Sequence, residues 1–302
     1  MVTGTNPLSA LSDSLIEAVE KAGKSTVLVN GRHRMPASGI VYAADLILTA
    51  DHVVERDEDI SVTLADGTDL KASIAGRDPG NDLALLRVEK ASITPADKAS
   101  QEAKVGQLVI ALGRPGAEGI EASMGIVSAI GGPVRTGRGG LLERYLRTDA
   151  VPFPGFSGGP LIDTEGRVVG LNTSGLAHGA AITIPVFLAW SDAENLAKYG
   201  YIKRGYLGIR SQQVELSAEL QKLLSREQET GLLLVSVEKG SPAEAGGLMV
   251  GDILVAIEGQ AIADHDELMV QLSGESVGKP LATQLLRGGQ PLNISVIVGE
   301  RK

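Results

Sequence analysis

The sequence predicts a mainly β protein of two domains, an antiparallel barrel or sandwich followed by a smaller α+β unit. Three observations carry this. Between STVLV (25–29) and AITIP (181–185) the chain is a succession of short β-branched runs, among them SGIVY, LILTA, ISVTL, DLALLRV, QLVIAL and RVVGLNT. They are parted by DGTD, DPGN, GRPGAEG and DTEGR, whose Gly, Pro, Asn and Asp supply turn geometry every eight to twelve residues, the spacing of an antiparallel sandwich or barrel. Finally, 302 residues exceed what one core comfortably serves, and the pattern changes near residue 200.

Each element follows from local chemistry. Leu8, Leu11, Leu15, Ile16 and Val19 recur at helical spacing among polar residues, which predicts an amphipathic helix within residues 1–24 that packs on the body. The β-rich domain then spans 25–200. FLAWSDAENLAKYG (187–200) reads as a helix that Gly200 ends, and KRG leads into YLGIR. The second domain, 201–302, holds a helical polar run (214–224), the strand LLLVSVE, a helical turn in SPAEAGG, the strand DILVAIEG, a helix in ADHDELMVQL (263–272) and two closing strands.

Composition excludes several classes. The net charge of −9 disfavours nucleic acid, whose affinity comes from Lys and Arg neutralising phosphates. Cysteine is absent, so there is no disulfide framework, thiolate nucleophile or cysteine zinc site. No HExxH or GxxxxGK[ST] occurs, and no cofactor is expected. No run is apolar for long enough to span a bilayer, and MVTGTNPLSALSDSL is not a leader, so the chain as written reads as cytoplasmic.

Chemistry centres on PGFSGGPL (154–161), which sets Ser157 among Gly155, Gly158 and Gly159. A GxSxG elbow of the α/β-hydrolase kind needs a helix after the serine, and here DTEGR makes a turn between β runs instead. Upstream, LTADHVV places His52 behind a strand and GNDLALLRV places Asp82 at the head of another. Histidine, aspartate, serine is the order of chymotrypsin-like double barrels. His33, His178 and His265 read as solvated surface residues, and the acids Asp45, Asp51, Asp57, Asp59, Asp66, Asp69 and Asp78 mostly as turn or surface groups.

Taken together, TADHVV, NDLALLRV, TDAVPFPGFSGGPL, GRVVGLNT and AITIP, then RGYLGI and SPAEAGGLMVGDILVAIEG, resemble the HtrA/Deg family of serine proteases. The resemblance implies a chymotrypsin-like double six-stranded antiparallel β-barrel protease domain followed by an α+β PDZ domain. It makes His52 the general base, Asp82 its orienter and Ser157 the nucleophile, with the backbone N–H groups of Gly155 and Ser157 receiving the oxyanion. The family usually carries Asn where this chain has Phe156, and Pro152 and Pro154 stiffen the approach.

By the same resemblance Val151, Pro152, Ala181 and Ile182 line the specificity pocket. No acid is among them, so a small or medium aliphatic P1 residue is expected. Tyr206, Leu207, Gly208 and Ile209 form the PDZ carboxylate-binding loop, where a peptide adds a strand to the sheet edge. The implied activity is ATP-independent cleavage of unfolded or misfolded polypeptides, with C-terminal or extended segments bound at the PDZ domain. The alternative is a catalytically silent scaffold that binds peptides. Family members are often extracytoplasmic and assemble as trimers through N-terminal aromatics, and this chain has none before Tyr42.

Overall fold

The computed structural model describes residues 6–33, 35–89, 93–116, 118–138, 140–177, 180–272 and 276–301. Two compact units divide at Ile202 and Lys203.

The first unit opens with helix α1 (Pro7–Gly23), capped by the Asn6 side chain, which accepts from the Leu8 amide. Six strands follow: β1 (Thr26–Asn30), β2 (Ala37–Ala43), β3 (Leu46–Ala50), β4 (Ile60–Thr63), β5 (Asp69–Asp78) and β6 (Leu83–Val88). They close into a barrel in the order β1-β2-β3-β6-β5-β4. Its strands alternate little, because inward residues such as Val27, Val29, Val41, Ile47 and Leu86 fill the barrel while Ile40, Leu48, Leu83 and Leu85 face a second core shared with the next barrel and a helix.

That next barrel takes β7 (Leu108–Gly116) and β8 (Gly119–Gly131), a small hairpin of β9 (Val134–Arg135) and β10 (Leu141–Leu142), then β11 (Tyr145–Thr148), β12 (Pro160–Ile162), β13 (Val168–Ala177) and β14 (Ala180–Pro185). The hairpin stays outside, and the rest close in the order β11-β14-β13-β12-β7-β8. Helix α2 (Val186–Tyr199) ends at Gly200 with φ +81, a left-handed cap that glycine adopts without steric cost, as the sequence predicts.

The N-terminal helix uses less of its apolar stripe than expected. Ala18 and Ala22 are buried, Leu15 and Val19 pack beside them, and Leu8 and Ile16 stay 75% and 53% exposed. Small residues set the contact because they let the helix approach closely, so the last turns dock while the first do not.

The second unit is a sheet whose order begins with the edge strand Ile209–Glu215, then Thr230–Val237, Ile253–Ile257, Pro280–Arg287 and Gln290–Ile297. Helices Ala218–Leu224, Pro242–Ala245 and His265–Gln271 are capped by Ser217, Ser241 and Asp264. Two expectations need correction. Val214 and Glu215 end the edge strand, and the helix begins only after the Ser217 cap. A third closing strand, Gly299–Arg301, also pairs with Arg204–Tyr206.

Candidate active site

His52 lies in a single 3₁₀ turn, Asp51–Val53, that follows β3. Asp82 closes the turn after β5, with φ +56, a left-handed conformation that aspartate tolerates better than most residues. It is fully buried. Its Oδ1 accepts the His52 amide at 2.9 Å and its Oδ2 lies 2.8 Å from His52 Nδ1. The Asp51 amide donates to the Asp82 carbonyl at 3.1 Å, so the two segments are stitched by backbone as well as side chain. With Nδ1 as the donor to Asp82, Nε2 is the nitrogen left to act as base.

Strand β13 brings the serine to this pair. Adjacent residues do it: the Thr173 hydroxyl donates to Asp82 Oδ2, and the Ser174 hydroxyl meets the Ser157 hydroxyl at 3.2 Å. The backbone of Asn172 brackets the following glycines, its carbonyl accepting the Gly158 amide at 2.8 Å and its amide donating to the Gly159 carbonyl at 2.9 Å. Among the described residues, His52 Nε2 makes no hydrogen bond to Ser157, whose hydroxyl is bonded to Ser174 instead.

The loop carrying Ser157 is pinned from the first barrel. Ser38 on β2 is fully buried; its hydroxyl donates to the Gly155 carbonyl at 2.7 Å and accepts the Arg114 amide at 2.8 Å, and its own amide donates to the Ser157 carbonyl at 3.1 Å. The Phe156 amide donates to the Phe153 carbonyl at 3.0 Å, so both faces of the 155–156 peptide are held. Among the described residues, the Gly155 and Ser157 amides have no acceptor, which leaves both donors for an incoming oxygen. Gly155 and Gly158 take φ +90 and +85, and a Cβ at Gly158 would strike the Ser38 carbonyl and the Thr49 hydroxyl.

Phe156, the departure noted in the motif, is fully buried in the second barrel with Val109, Leu161 and Val169, and stands edge-on to Phe153 at 5.4 Å. It anchors the loop by packing rather than by a polar bond. The Arg114 guanidinium donates to the carbonyls of Thr26 and Gly23 at 2.9 and 3.1 Å; burial pushes its pKa down from the ordinary arginine value.

Elsewhere the residues fall as follows. Val151 is 59% exposed, its amide donating to the Ser123 hydroxyl at 3.0 Å, Pro152 is half-buried, and Ile182 is buried opposite Thr173. Ala181 lies in β14, with its side chain outside the described residues, as is His178. His33 is exposed, but His265 is half-buried, its Nε2 3.0 Å from the Ser211 hydroxyl and 3.1 Å from the Ser211 carbonyl. Among the early acids, read mostly as turn or surface groups, Asp51 and Asp78 stand at turns and are buried, 2% and 3% exposed. Thr173, Ser174 and Ser38 escaped sequence reading. A polar pair, Asn172-Thr173, directly after the apolar run VVGL was the available signal.

In the second unit, Tyr206 ends the strand paired with Gly299–Arg301, and Gly208 turns the chain at φ +80 before Ile209 opens the edge strand. Leu207 is buried, and the carbonyls of Leu207 and Gly208 accept from Ala243 and Glu238 at 2.9 and 2.8 Å. The amides of both have no acceptor among the described residues.

Two closed six-stranded antiparallel barrels, with His52 behind β3, Asp82 at the head of β6 and Ser157 beside β13, make the architecture of a trypsin-like peptidase domain. Comparisons agree: a trypsin-like peptidase domain matches residues 37–171 and a PDZ domain residues 205–298. DegQ of Escherichia coli, a periplasmic pH-dependent serine endoprotease, is 34% identical over 86% of this chain and 58% of its own length. HhoB of Synechocystis is 33% identical over 89% of this chain and 67% of its own. The solved structure of the HtrA-type protease AlgW with a decapeptide superposes with a TM-score of 0.78 at 28% identity, covering 95% of this chain and 99% of that one. The chain belongs to the HtrA/Deg family of serine proteases. It spans little more than half the length of several curated relatives it matches.

Proposed function

We propose that this chain is an ATP-independent serine endopeptidase acting on unfolded polypeptide, with His52, Asp82 and Ser157 as its catalytic residues. One observation carries the reading: Thr173 and Ser174, neighbours on a single strand, bond Asp82 and Ser157 respectively and so gather all three side chains. In the reaction His52 Nε2 takes the proton as Ser157 Oγ attacks the scissile carbonyl, and Asp82 stabilises the imidazolium through Nδ1. The Gly155 and Ser157 amides receive the oxyanion, and His52 then returns the proton to the leaving amine. For that transfer the Ser157 hydroxyl must leave Ser174 for His52.

The amides of Leu207 and Gly208, which have no acceptor among the described residues and stand beside an edge strand, support binding of a chain terminus at the second unit. The absence of an acid at Val151, Pro152, Ala181 and Ile182 supports a small or medium aliphatic P1 residue. The Ser157–Ser174 bond supports the silent-scaffold reading, beside Phe156 and the proline-rich approach.

The test is incubation of the protein with unfolded casein and with a fluorophosphonate probe, beside Ser157→Ala. The parent should be labelled and cleave, and the variant should do neither, a loss of about 10⁶-fold in kcat. A parent that does neither, even with apolar C-terminal peptides added, overturns the enzyme in favour of the scaffold.

A further inference from the structure

Phe156 seats the loop that carries Ser157 by packing, and apolar contact is non-directional: it fixes where the loop lies and not which way its peptide groups face. Facing is what an oxyanion hole needs, because the Gly155 and Ser157 amides act only when aimed at the developing charge. Hydrogen bonds must set it, since they depend on angle as well as distance.

Two of these bonds converge on one residue of the other barrel. The Ser38 hydroxyl donates to the Gly155 carbonyl at 2.7 Å, and the Ser38 amide donates to the Ser157 carbonyl at 3.1 Å. Peptide 156–157, whose N–H is one of the two oxyanion donors, is flanked by peptides 155–156 and 157–158, and each of these gives its carbonyl to Ser38. The other donor, the Gly155 N–H, stands one residue before the first held peptide, across a glycine at φ +90 that has no Cβ to restrict its torsions.

The Ser38 hydroxyl has its direction imposed on it. The Arg114 amide donates to Ser38 Oγ at 2.8 Å, so the hydroxyl hydrogen is left for the Gly155 carbonyl. Arg114 is in turn fastened by its guanidinium to the Gly23 carbonyl at the end of α1 and the Thr26 carbonyl on β1. From the other side the Thr49 hydroxyl donates to the Ser38 carbonyl at 2.7 Å. Ser38 is fully buried, so water does not compete for these bonds.

We propose that Ser38 is a positioning residue for the oxyanion hole, its hydroxyl and amide together holding the two carbonyls that aim the Gly155 and Ser157 donors. This deepens the protease reading and rests on it. Among the described residues Ser38 makes no hydrogen bond to His52 or Asp82, so its effect falls on stabilisation of the oxyanion and leaves the proton transfer alone.

The experiment compares parent, Ser38→Ala and a control, Ser25→Ala, which removes another buried bond, that of the Ser25 hydroxyl to the Ala22 carbonyl at 3.1 Å. Each is measured for kcat and KM on a short peptide, for inhibition by a peptide aldehyde, whose adduct with Ser157 puts an oxyanion in the hole, and by NMR titration of the His52 ring. Ser38→Ala should lower kcat about 10- to 100-fold with KM and the ring titration unchanged, short of the full loss of one donor because the Ser38 amide still holds the Ser157 carbonyl. Aldehyde affinity should fall by the same factor. Ser25→Ala should lower the melting temperature and leave kcat and the aldehyde affinity at the parent's values. If Ser38→Ala does not fold, Ser38→Cys, which keeps a weaker donor in a chain with no other cysteine, should show a smaller fall in the same two quantities. With an active parent, a kcat or aldehyde affinity equal to the parent's in the Ser38 variant, or a fall that comes with a displaced ring titration, overturns the role of Ser38. A parent that neither labels nor cleaves sinks the protease reading and this one with it, so the two failures are told apart.

Discussion

Asp82 in the first unit and Asp252 in the second are buried to the same degree, 0% and 1% exposed, yet their charges are employed in opposite ways. Asp252 gives both oxygens to Arg287, each at 2.8 Å from a guanidinium nitrogen, and Oδ2 also accepts the Met249 amide at 2.8 Å. Arg287 in turn donates to the Gly247 carbonyl at 2.7 Å, so the pair knits the end of a strand to the loop before another. Asp82 instead meets an amide, an imidazole and a hydroxyl, with a guanidinium only at 3.8 Å. A carboxylate neutralised by a forked cation is structural; one left with uncharged donors keeps its field for a proton that arrives during a reaction.

The largest expected effect breaks the contrast from the catalytic side. Asp82→Asn should lower kcat by about 10⁴-fold, because the amide favours the wrong imidazole tautomer, while thermal unfolding changes little. A loss under tenfold would mean Asp82 is no different from Asp252.

Asp252→Asn should do the reverse. It leaves half-exposed Arg287 against a neutral partner and should destabilise the second unit by about 1–3 kcal/mol, read by calorimetry of the full chain, with cleavage of a short peptide at low temperature unchanged. Acid should act in the same direction. Burial alone would raise the Asp252 carboxyl, but the bonds and charge of Arg287 and the Met249 amide outweigh it and hold the pKa below the ordinary value. A depressed folded-state value contributes stability that is complete above the ordinary carboxylate range and is lost as pH falls through it toward the folded value. The second unit of Asp252→Asn should therefore lose less stability between neutral and strongly acidic pH than the parent; equal acid sensitivity would remove Asp252 from that role.

The smallest effect sharpens the comparison. Thr173→Val keeps the shape and removes one hydroxyl from Asp82, and about a tenfold drop in kcat should follow, with the melting temperature nearly unchanged. No drop would show that the Thr173 bond does not help keep Asp82 in place.

Much of this site was readable before any fold. His52 stood at a strand end with an apolar flank, Asp82 opened an apolar strand, and the glycines around Ser157 marked a backbone that side chains would obstruct. The polar run at Asn172 and Thr173 was visible, but the partners of Thr173 and Ser174 were not, because a residue in a strand carries no sign of what lies opposite it. The burial of Asp51 was not readable because burial of an acid depends on cations distant in sequence; its partner Arg138 is 87 positions away. His265 was misread alike, since its partner Ser211 belongs to another element 54 positions off.

The sequence by itself determined the residue types, their order and the local turns, since strand alternation, caps and left-handed glycines are short-range consequences of backbone sterics. Only the tertiary structure decided which carboxylates pair with arginine, that Ser157 rests on Ser174, and that Arg138 meets Asp51. Those depend on contacts across barrels and hairpins, where the strength of a charge is set by what surrounds it rather than by its neighbours in the chain.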